Sequence, residues 1–435
     1  MPVLRHNLIL LVVALVLPFL LARRRWIAAE RLLFAAATVM VFVRLWRKFR
    51  IAEPVVDLIN FHRSGVLALA GQDPYAPASS PMINPPTVLP LVKLFAMFSV
   101  EDVSPYWQAS VAVMTILCPI AAWAALRTAR EDDALSVEGE PAPPAIFPWG
   151  LAALVVVSPA AEIGIILGQF SALGTLALLT AIWLRNVGRP IASGLLLSVA
   201  TIKVATLIPI LTQFLGRRDR RVWFALAGGT LALALLGAPP TRWLEFCRSN
   251  LERIAETQRA GSVNDYDFAT GEQFASVIGV GKLANYLGVR DAAVRSRVEL
   301  IASLAGLLGL AGITRARRLP AAAAVATACT LACLFLYHRV YDSLILAAPL
   351  FYSFVEMNAR EGWRRTLHRL NVVGLVLIPC TPWERVSNPL LQWCLEDETL
   401  REIARIAIVP FSTWLLLFAL VVLLATGWRR GPKLA

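Results

Sequence analysis

Residues 57–86 read DLINFHRSGVLALAGQDPYAPASSPMINPP, a polar stretch that lies between long apolar segments. The stretch contains the carboxylate of Asp57, the pair His62-Arg63, and a Gly-Gln-Asp-Pro-Tyr turn that ends at Tyr75. Irregular backbone beside a bilayer is tolerated only where water or protein satisfies its polar groups. A loop this rich in ionisable residues, placed between apolar segments, is therefore the first place to expect a functional site.

The apolar segments on either side decide the fold class. The chain has 435 residues, of which 57% are hydrophobic and 16% charged, and its mean hydropathy is +0.64. A soluble protein carries roughly 25% charged residues. The apolar runs do not alternate in polarity as the strands of a transmembrane barrel do. We predict an all-α polytopic membrane protein, a bundle of about 11–13 transmembrane helices with external loops that carry short juxtamembrane helices.

The predicted spans are continuous apolar runs that are bounded by polar or basic loops. They are 8–22, 27–46, 86–99, 106–126, 148–160, 170–184, 191–215, 222–238, 295–313, 320–337, 342–357, 370–381 and 405–426. Several are shorter than the ~20 residues that a perpendicular helix needs, and these are interpreted as half-helices or shielded segments. We treat 1–435 as a single integral-membrane domain, in which 1–26 adds a retained N-terminal span, since its basic cluster follows the apolar core instead of preceding it.

The basic residues of the chain cluster in short loops between apolar runs. The formal net charge is +13, with clusters at 23–25, 217–221, 315–318 and 429–430. This placement is typical of cytoplasmic loops under the positive-inside rule and of contact with anionic lipids. We therefore expect membrane lipids as partners and no nucleic acid.

Charge also predicts which loops share a side. With the basic clusters in the cytoplasm, strict alternation places a first external loop at 47–85 and a second at 239–294. The loop 381–402 and the net acidic loop 127–147 then fall outside as well.

Two basic positions do not fit strict alternation. The cluster at 47–50 and the pair Arg185 and Arg189 would both be external. Either they contact lipid phosphate, or 191–215 is a broken hairpin that enters and leaves on the cytoplasmic side. Lys203 lies at the middle of that segment, where a break would occur. Sequence alone leaves both alternatives open.

The first loop supplies several candidate site residues. Asp57 is a candidate general base, because a carboxylate at the mouth of a span faces water, a partner or a cavity; helix capping is the alternative. On a helix, we expect His62 to lie on a face roughly adjacent to that of Asp57 and to contact sugar or acceptor. Arg63 is a candidate phosphate ligand or a lipid headgroup contact. Tyr75 belongs to the turn architecture or stacks on a sugar.

Three later stretches add polar groups at junctions between apolar runs. Gln169 follows Gly168 and either donates hydrogen bonds to a ligand or belongs to helix packing. Lys203 lies at membrane depth, where an ammonium must reach the interface, pair or bind an anion. The stretch YHRVYD at 337–342 combines cation, imidazole, carboxylate and phenols, a mixture that suits phosphate and sugar together. In it, His338 and Arg339 are candidate phosphate ligands, and Tyr341 and Asp342 are candidate sugar or acceptor ligands; an ordinary loop with an Arg339–Asp342 pair is the alternative.

Together these motifs make the chain resemble glycosyltransferase family 87. The elements that carry the resemblance occur in the order ALAGQDPY after Asp57, Gly168-Gln169, GLLLSVATIK ending at Lys203, and YHRVYD. The resemblance implies a GT-C fold, a polyprenyl-phosphate sugar donor, inversion at the anomeric carbon and no bound nucleotide. It also implies that Asp57 corresponds to the presumed base of the family's first external loop.

From the residues and the resemblance together we expect a glycosyltransferase that moves a hexose, mannose by analogy, from a polyprenyl-phosphate donor to a lipid or glycan hydroxyl. Such an enzyme serves glycolipid biosynthesis for the cell envelope. The expected location is a bacterial inner or plasma membrane, with the active site on the extracytoplasmic side. Neither a cofactor nor a metal site is expected, since no cluster of metal-binding carboxylates is evident. The competing hypotheses are a secondary transporter or lipid flippase, and a membrane scaffold without chemistry.

Overall fold

The protein is an all-α polytopic membrane protein. Its computed structural model describes residues 27–49, 56–75, 82–136, 146–215, 219–257, 277–316, 318–334, 338–381, 400, 406 and 410–428. The first predicted span, 8–22, and most of the loop 381–402 lie outside these residues.

The helices of the first half carry the first loop and its surroundings. They are α1 (Ile27–Phe49), α2 (Val56–Leu69), α3 (Leu89–Phe95, preceded by a 3-10 turn at Pro86–Val88), α4 (Val100–Ser136), α5 (Trp149–Val157), α6 (Pro159–Leu167), α7 (Ser171–Asn186), α8 (Pro190–Ala200), α9 (Val204–Leu211) and α10 (Arg220–Gly237). Between α8 and α9 lies a 3-10 turn at Thr201–Lys203, and another follows α9 at Thr212–Phe214.

The second half continues from the end of α10. Its elements are α11 (Trp243–Thr257, after a 3-10 turn at Pro240–Arg242), β1 (Val277–Ile278), α12 (Val280–Tyr286), α13 (Ala292–Arg315), α14 (Ala321–Leu334), β2 (His338–Arg339), a 3-10 segment at Val340–Leu346, α15 (Ala347–Ala359), α16 (Gly362–Cys380) and α17 (Phe411–Gly427). The two short strands form one antiparallel pair.

By length and apolar composition, four described helical segments could each cross a bilayer. They are Val100–Glu131, Pro190–Phe214, Ala292–Arg315 and Val340–Ala359, and two bent pairs raise the number to six. Shorter apolar helices such as α14 and α17 fall below the length used for that count. The predicted number of 11–13 spans remains a prediction.

Ion pairs mark one end of the bundle, which we call the basic end. Here Arg130 donates to Glu356 at 2.5 Å, and Arg185 reaches Asp219 with two nitrogens, at 2.9 and 3.1 Å. A hydrogen bond of 3.2 Å from the side chain of Asn186 to that of Thr128 ties α7 to α4 beside these pairs. The C-terminal ends of α4 and α7 therefore lie at the same end of the bundle.

The opposite end, which we call the loop end, carries the described parts of 47–85 and 239–294. Helix α11 bends by 92° from α10 and lies over the turn that follows α2. Two nitrogens of Arg253 donate to the carbonyl of Tyr75 at 3.0 and 3.3 Å, and Asn250 donates to the carbonyl of Asn84 at 3.1 Å. Arg242 donates to the carbonyl of Gly71. The amphipathic helix α11 thus holds the first loop in place.

The structure corrects the prediction for 86–99. Only Pro86–Phe95 is helical, about 15 Å of helix, half of the ~30 Å hydrocarbon core. Its C-terminal end returns to α2, where Nε2 of His62 lies 2.8 Å from the carbonyl of Phe98. Because this segment does not cross, α4 starts at the loop end and finishes at the basic end. The prediction that 127–147 shares a side with 47–85 is therefore wrong.

The geometry also decides between the alternatives for 191–215. The bidentate pair of Arg185 with Asp219 joins residues just before and just after this segment. Trp223 donates to the carbonyl of Phe214 at 2.7 Å, whereas a straight helix of this length would separate its ends by about 37 Å. The backbone of Lys203 is not helical, with φ −124° and ψ 70°. Although its length and composition would allow a crossing, the segment Pro190–Phe214 is a hairpin that enters from the basic end and turns at Lys203.

Candidate active site

The turn of this hairpin meets three other elements at the loop end of the bundle. The first is the segment after α14, which the β1–β2 pair holds by opposing Val277 to Arg339. The backbone nitrogen of Arg339 donates to Oδ2 of Asp342 at 3.2 Å and closes the first turn of the following 3-10 segment. Arg339, Tyr341 and Asp342 are all buried. The local pairing therefore places a guanidinium, a phenol and a carboxylate at one point of the bundle.

The second element is the junction between α6 and α7. Gly168 ends α6 with φ 66° and ψ 36°, a left-handed conformation that glycine adopts without steric cost. The indole nitrogen of Trp107 donates to the carbonyl of Gly168 at 2.7 Å and fixes the turn. Gln169 follows, and its amide nitrogen donates to Oδ2 of Asp57. The junction thereby connects α4 to the carboxylate at the start of α2, the third element.

Lys203, at the hairpin turn, binds the carboxylate of Asp342. Its Nζ donates to Oδ1 of Asp342 at 2.9 Å, and Oγ of Ser171 donates to the same oxygen at 2.5 Å. The ammonium also lies 5.4 Å from the ring centroid of Tyr341, within cation–π distance. A Cβ on Gly174 would lie 3.2 Å from the Cβ of Lys203, so glycine at this position lets the lysine stem lie against α7.

The electrostatics of Asp57 connect these elements. Burial raises the pKa of its carboxyl above the ordinary value, while the hydrogen bond from Gln169 and the positive charges of Arg339 and Lys203 act to lower that pKa. The effect of burial is the largest, so the pKa remains raised. A carboxylate with a raised pKa is a better proton acceptor than an ordinary exposed aspartate.

The site therefore combines two carboxylates, those of Asp57 and Asp342, with two cations, from segments far apart in sequence. The structure brings together Asp57, Gln169, Lys203, Arg339, Tyr341 and Asp342, six of the residues predicted from sequence. Lys203 keeps 17% of its side-chain surface exposed, whereas Asp342 keeps only 5%. The ammonium is thus the more accessible member of this pair.

The other four predicted site residues are His62, Arg63, Tyr75 and His338, and the structure does not place their side chains in this cluster. His62 contacts the carbonyl of Phe98 and does not lie on a face adjacent to that of Asp57, because five residues turn a helix by about 140° beyond a full turn. Tyr75 is 1% exposed and donates to the carbonyl of Asn84, so its ring belongs to the packing of the turn. Arg63 lies on the exposed side of α2. The backbone of His338 pairs with Ile278, and its side chain lies outside the described residues. Ligand roles for these four residues remain predictions.

Two supporting contacts could not be predicted from the sequence. Trp107 lies in an apolar helix, where an indole is ordinary, and only the structure shows that it holds the turn before Gln169. Arg253 is one of several charged residues on α11, yet it is buried against the first loop. The amphipathic pattern of α11 was the sequence feature that could have indicated this contact of Arg253.

Fold and site define an integral membrane protein with a polar, cation-lined centre at one end of a helical bundle. The sequence profile of glycosyltransferase family 87 matches residues 83–336, more than half of the chain, and the protein belongs to that family. The protein is accordingly a membrane glycosyltransferase. The matched region contains Gln169 and Lys203, whereas Asp57 and 337–342 lie outside it and join the site through the contacts described above. A search of curated proteins finds no match.

Proposed function

We propose that the protein transfers a hexose, specifically mannose, from a polyprenyl-phosphate donor to a hydroxyl of a lipid or glycan acceptor, with inversion at the anomeric carbon. The observation that carries this proposal is the carboxylate of Asp57, bonded to Gln169, beside the charges of Lys203 and Arg339. Transfer of a sugar from a phosphate to an alcohol needs one proton acceptor and one anion-binding site. This arrangement supplies both within one cluster.

The leaving phosphate defines the role of the cations. When the bond between the anomeric carbon and the phosphate oxygen breaks, the electron pair leaves with the polyprenyl phosphate. Lys203 and Arg339 stabilise the negative charge that develops on this oxygen, which lowers the barrier because the cations are already in place. The prenyl tail remains in the bilayer beside the bundle, so only the phosphate and sugar need to enter the polar cluster.

The acceptor hydroxyl defines the role of Asp57. As the acceptor oxygen forms its bond to the anomeric carbon, its proton passes to the Asp57 carboxylate. Attack from the face opposite the phosphate inverts the configuration. The hydrogen bond from Gln169 to Oδ2 orients the carboxylate, and we assign the proton of the acceptor to Oδ1.

The bundle also supports an orientation in the membrane. Arg185, Asp219, Arg220 and Arg221 belong to the basic end, and under the positive-inside rule this end faces the cytoplasm. Ser171 lies 14 residues of helix from Arg185, about 21 Å away along α7. The site then faces the extracytoplasmic side of the membrane, which we take to be a bacterial inner or plasma membrane.

The test is direct. Purified protein is incubated with polyprenyl-phosphate [³H]mannose and extracted lipid acceptors, and products are separated by thin-layer chromatography. Label in a new lipid or glycan supports the proposal, and label that remains in the donor while the wild-type protein is folded contradicts it. Polyprenyl-phosphate glucose in a parallel reaction tests the identity of the sugar.

A further inference from the structure

The carboxylate of Asp342 faces protein groups, although its sequence context suggests a sugar ligand. Oδ1 accepts from Lys203 at 2.9 Å and from Ser171 at 2.5 Å, and Oδ2 accepts from the backbone nitrogen of Arg339 at 3.2 Å. The side chain is 5% exposed. Three donors from three separate segments therefore converge on one buried carboxylate.

Each of these donors belongs to a different part of the site. Lys203 is the turn of the hairpin, Ser171 is the first residue of α7, and Arg339 is the end of β2. The hairpin enters from the basic end, whereas the site lies at the loop end. A contact at the turn of the hairpin is therefore needed to fix the ammonium of Lys203. The backbone of Lys203 departs from helical geometry there, with φ −124° and ψ 70°.

We infer that Asp342 is a positioning residue: it holds the ammonium of Lys203, with Ser171 as its partner, so that the remaining ammonium protons face a bound phosphate. The inference rests on the proposed function only in assigning a phosphate to Lys203. An ammonium has three donor hydrogens, and the bond to Asp342 directs one of them. The cation–π contact with Tyr341 restrains the ammonium from a second direction.

Charge and position make opposite predictions for the loss of Asp342. A carboxylate beside an anion site repels the anion, so its removal would tighten phosphate binding if charge alone mattered. If Asp342 positions Lys203, its removal weakens phosphate binding in spite of the gain in positive charge. The sign of the change therefore separates the two roles.

The experiment measures the Kd of decaprenyl phosphate for the purified full-length protein in detergent, with decaprenol as the control for the tail. This probe carries no sugar, so the result does not depend on mannose or on the acceptor. We expect Asp342→Asn and Lys203→Ala each to raise the Kd about tenfold, as for the loss of one charge-assisted hydrogen bond. The double variant should bind no worse than Lys203→Ala alone, to within about twofold.

Ser171→Ala provides a second variant that leaves every charge in place. It should raise the Kd about threefold in the wild-type background and have no effect beside Lys203→Ala. If Asp342→Asn fails to give a monodisperse, cooperatively unfolding protein, the inference is tested by Ser171→Ala alone and by Ser171→Ala combined with Lys203→Ala. A direct phosphate contact of Ser171 would instead add its effect to that of Lys203→Ala.

Tighter binding in Asp342→Asn, or additive effects with Lys203→Ala, overturns the positioning role alone. An unchanged Kd in Lys203→Ala overturns the phosphate-binding role of Lys203 and the inference with it. If the wild-type protein transfers no mannose but these Kd shifts are observed, the proposed transfer of mannose is wrong. The positioning role of Asp342 then stands.

Discussion

Gln169 donates a hydrogen bond from its amide to Oδ2 of Asp57, across 112 positions of the sequence. The turn that presents Gln169 is fixed by the bond from Trp107 to the carbonyl of Gly168, so the amide is held independently of Asp57. One carboxylate oxygen is therefore occupied and the orientation of the other is set. The bond also lowers the Asp57 pKa against the larger effect of burial.

Replacing Gln169 should change the pH dependence of transfer. Gln169→Ala removes a hydrogen bond that lowers the Asp57 pKa, so that pKa rises. The base works in its deprotonated form, and the acid limb of kcat/KM should therefore move to higher pH. Measuring kcat/KM against pH for donor and acceptor checks this. Gln108→Ala is the matched control, since Gln108 is a buried glutamine that donates to the carbonyl of Ile166. If the acid limb of kcat/KM does not move in Gln169→Ala, the Gln169 amide does not affect the pKa of the catalytic base.

Asp57→Asn should abolish transfer without unfolding the protein. An amide of the same shape cannot accept the acceptor proton, and general base catalysis contributes about 10²- to 10⁴-fold. Initial rates at saturating donor and acceptor measure the loss, and gel filtration reports folding. Asp73→Asn is the control in the same loop, because Asp73 accepts a local bond from the Tyr75 nitrogen. Full activity in Asp57→Asn would remove this carboxylate from the mechanism.

The fold class could be predicted from the sequence because apolar runs and basic loops carry the information directly. The crossing pattern could not, and 86–99 shows why. Its composition is that of a span, yet only Pro86–Phe95 is helical and the segment returns beside α2. Hydropathy measures composition, whereas crossing depends on the path of the chain. Because 86–99 was counted as a crossing, the loop 127–147 was predicted on the wrong side of the bundle.

The site residues were predictable where a charge was conspicuous in apolar surroundings. Lys203, Arg339 and Asp342 stood out for that reason, and their contacts unite them. His62 was expected on a face roughly adjacent to that of Asp57, but five helical residues turn its direction by about 140° beyond a full turn, and its imidazole contacts the carbonyl of Phe98. The role of Ser171 depends on an oxygen contributed from 171 residues away, which no local pattern encodes.

Lys203→Ala should both move the acid limb of kcat/KM and raise the donor KM, whereas Gln169→Ala should only move the acid limb. Loss of the ammonium removes a positive charge that lowers the Asp57 pKa, so the acid limb of kcat/KM should again move to higher pH. The donor KM should also rise, by about tenfold, because a phosphate contact is lost. Lys203→Arg should restore part of the donor affinity. Lys93→Ala, a partly exposed lysine on α3, is the control. A raised acceptor KM with an unchanged donor KM would assign Lys203 to the acceptor instead.

The hairpin makes a prediction about membrane sidedness. Because Pro190–Phe214 turns back at Lys203, Arg189 should lie on the same side as Glu131 and opposite to Glu252. We expect cysteines introduced by Arg189→Cys and Glu131→Cys to react with an impermeant maleimide in inverted vesicles and not in spheroplasts. Glu252→Cys should show the reverse.

The background for this labelling replaces Cys247 and Cys394 with serine. The other native cysteines, Cys118, Cys329, Cys333 and Cys380, are buried. Labelling of Arg189→Cys from the same side as Glu252→Cys would mean that 190–214 crosses the membrane completely. The pair of Arg185 with Asp219 could not then form, and the path that brings Lys203 to Asp342 would be wrong.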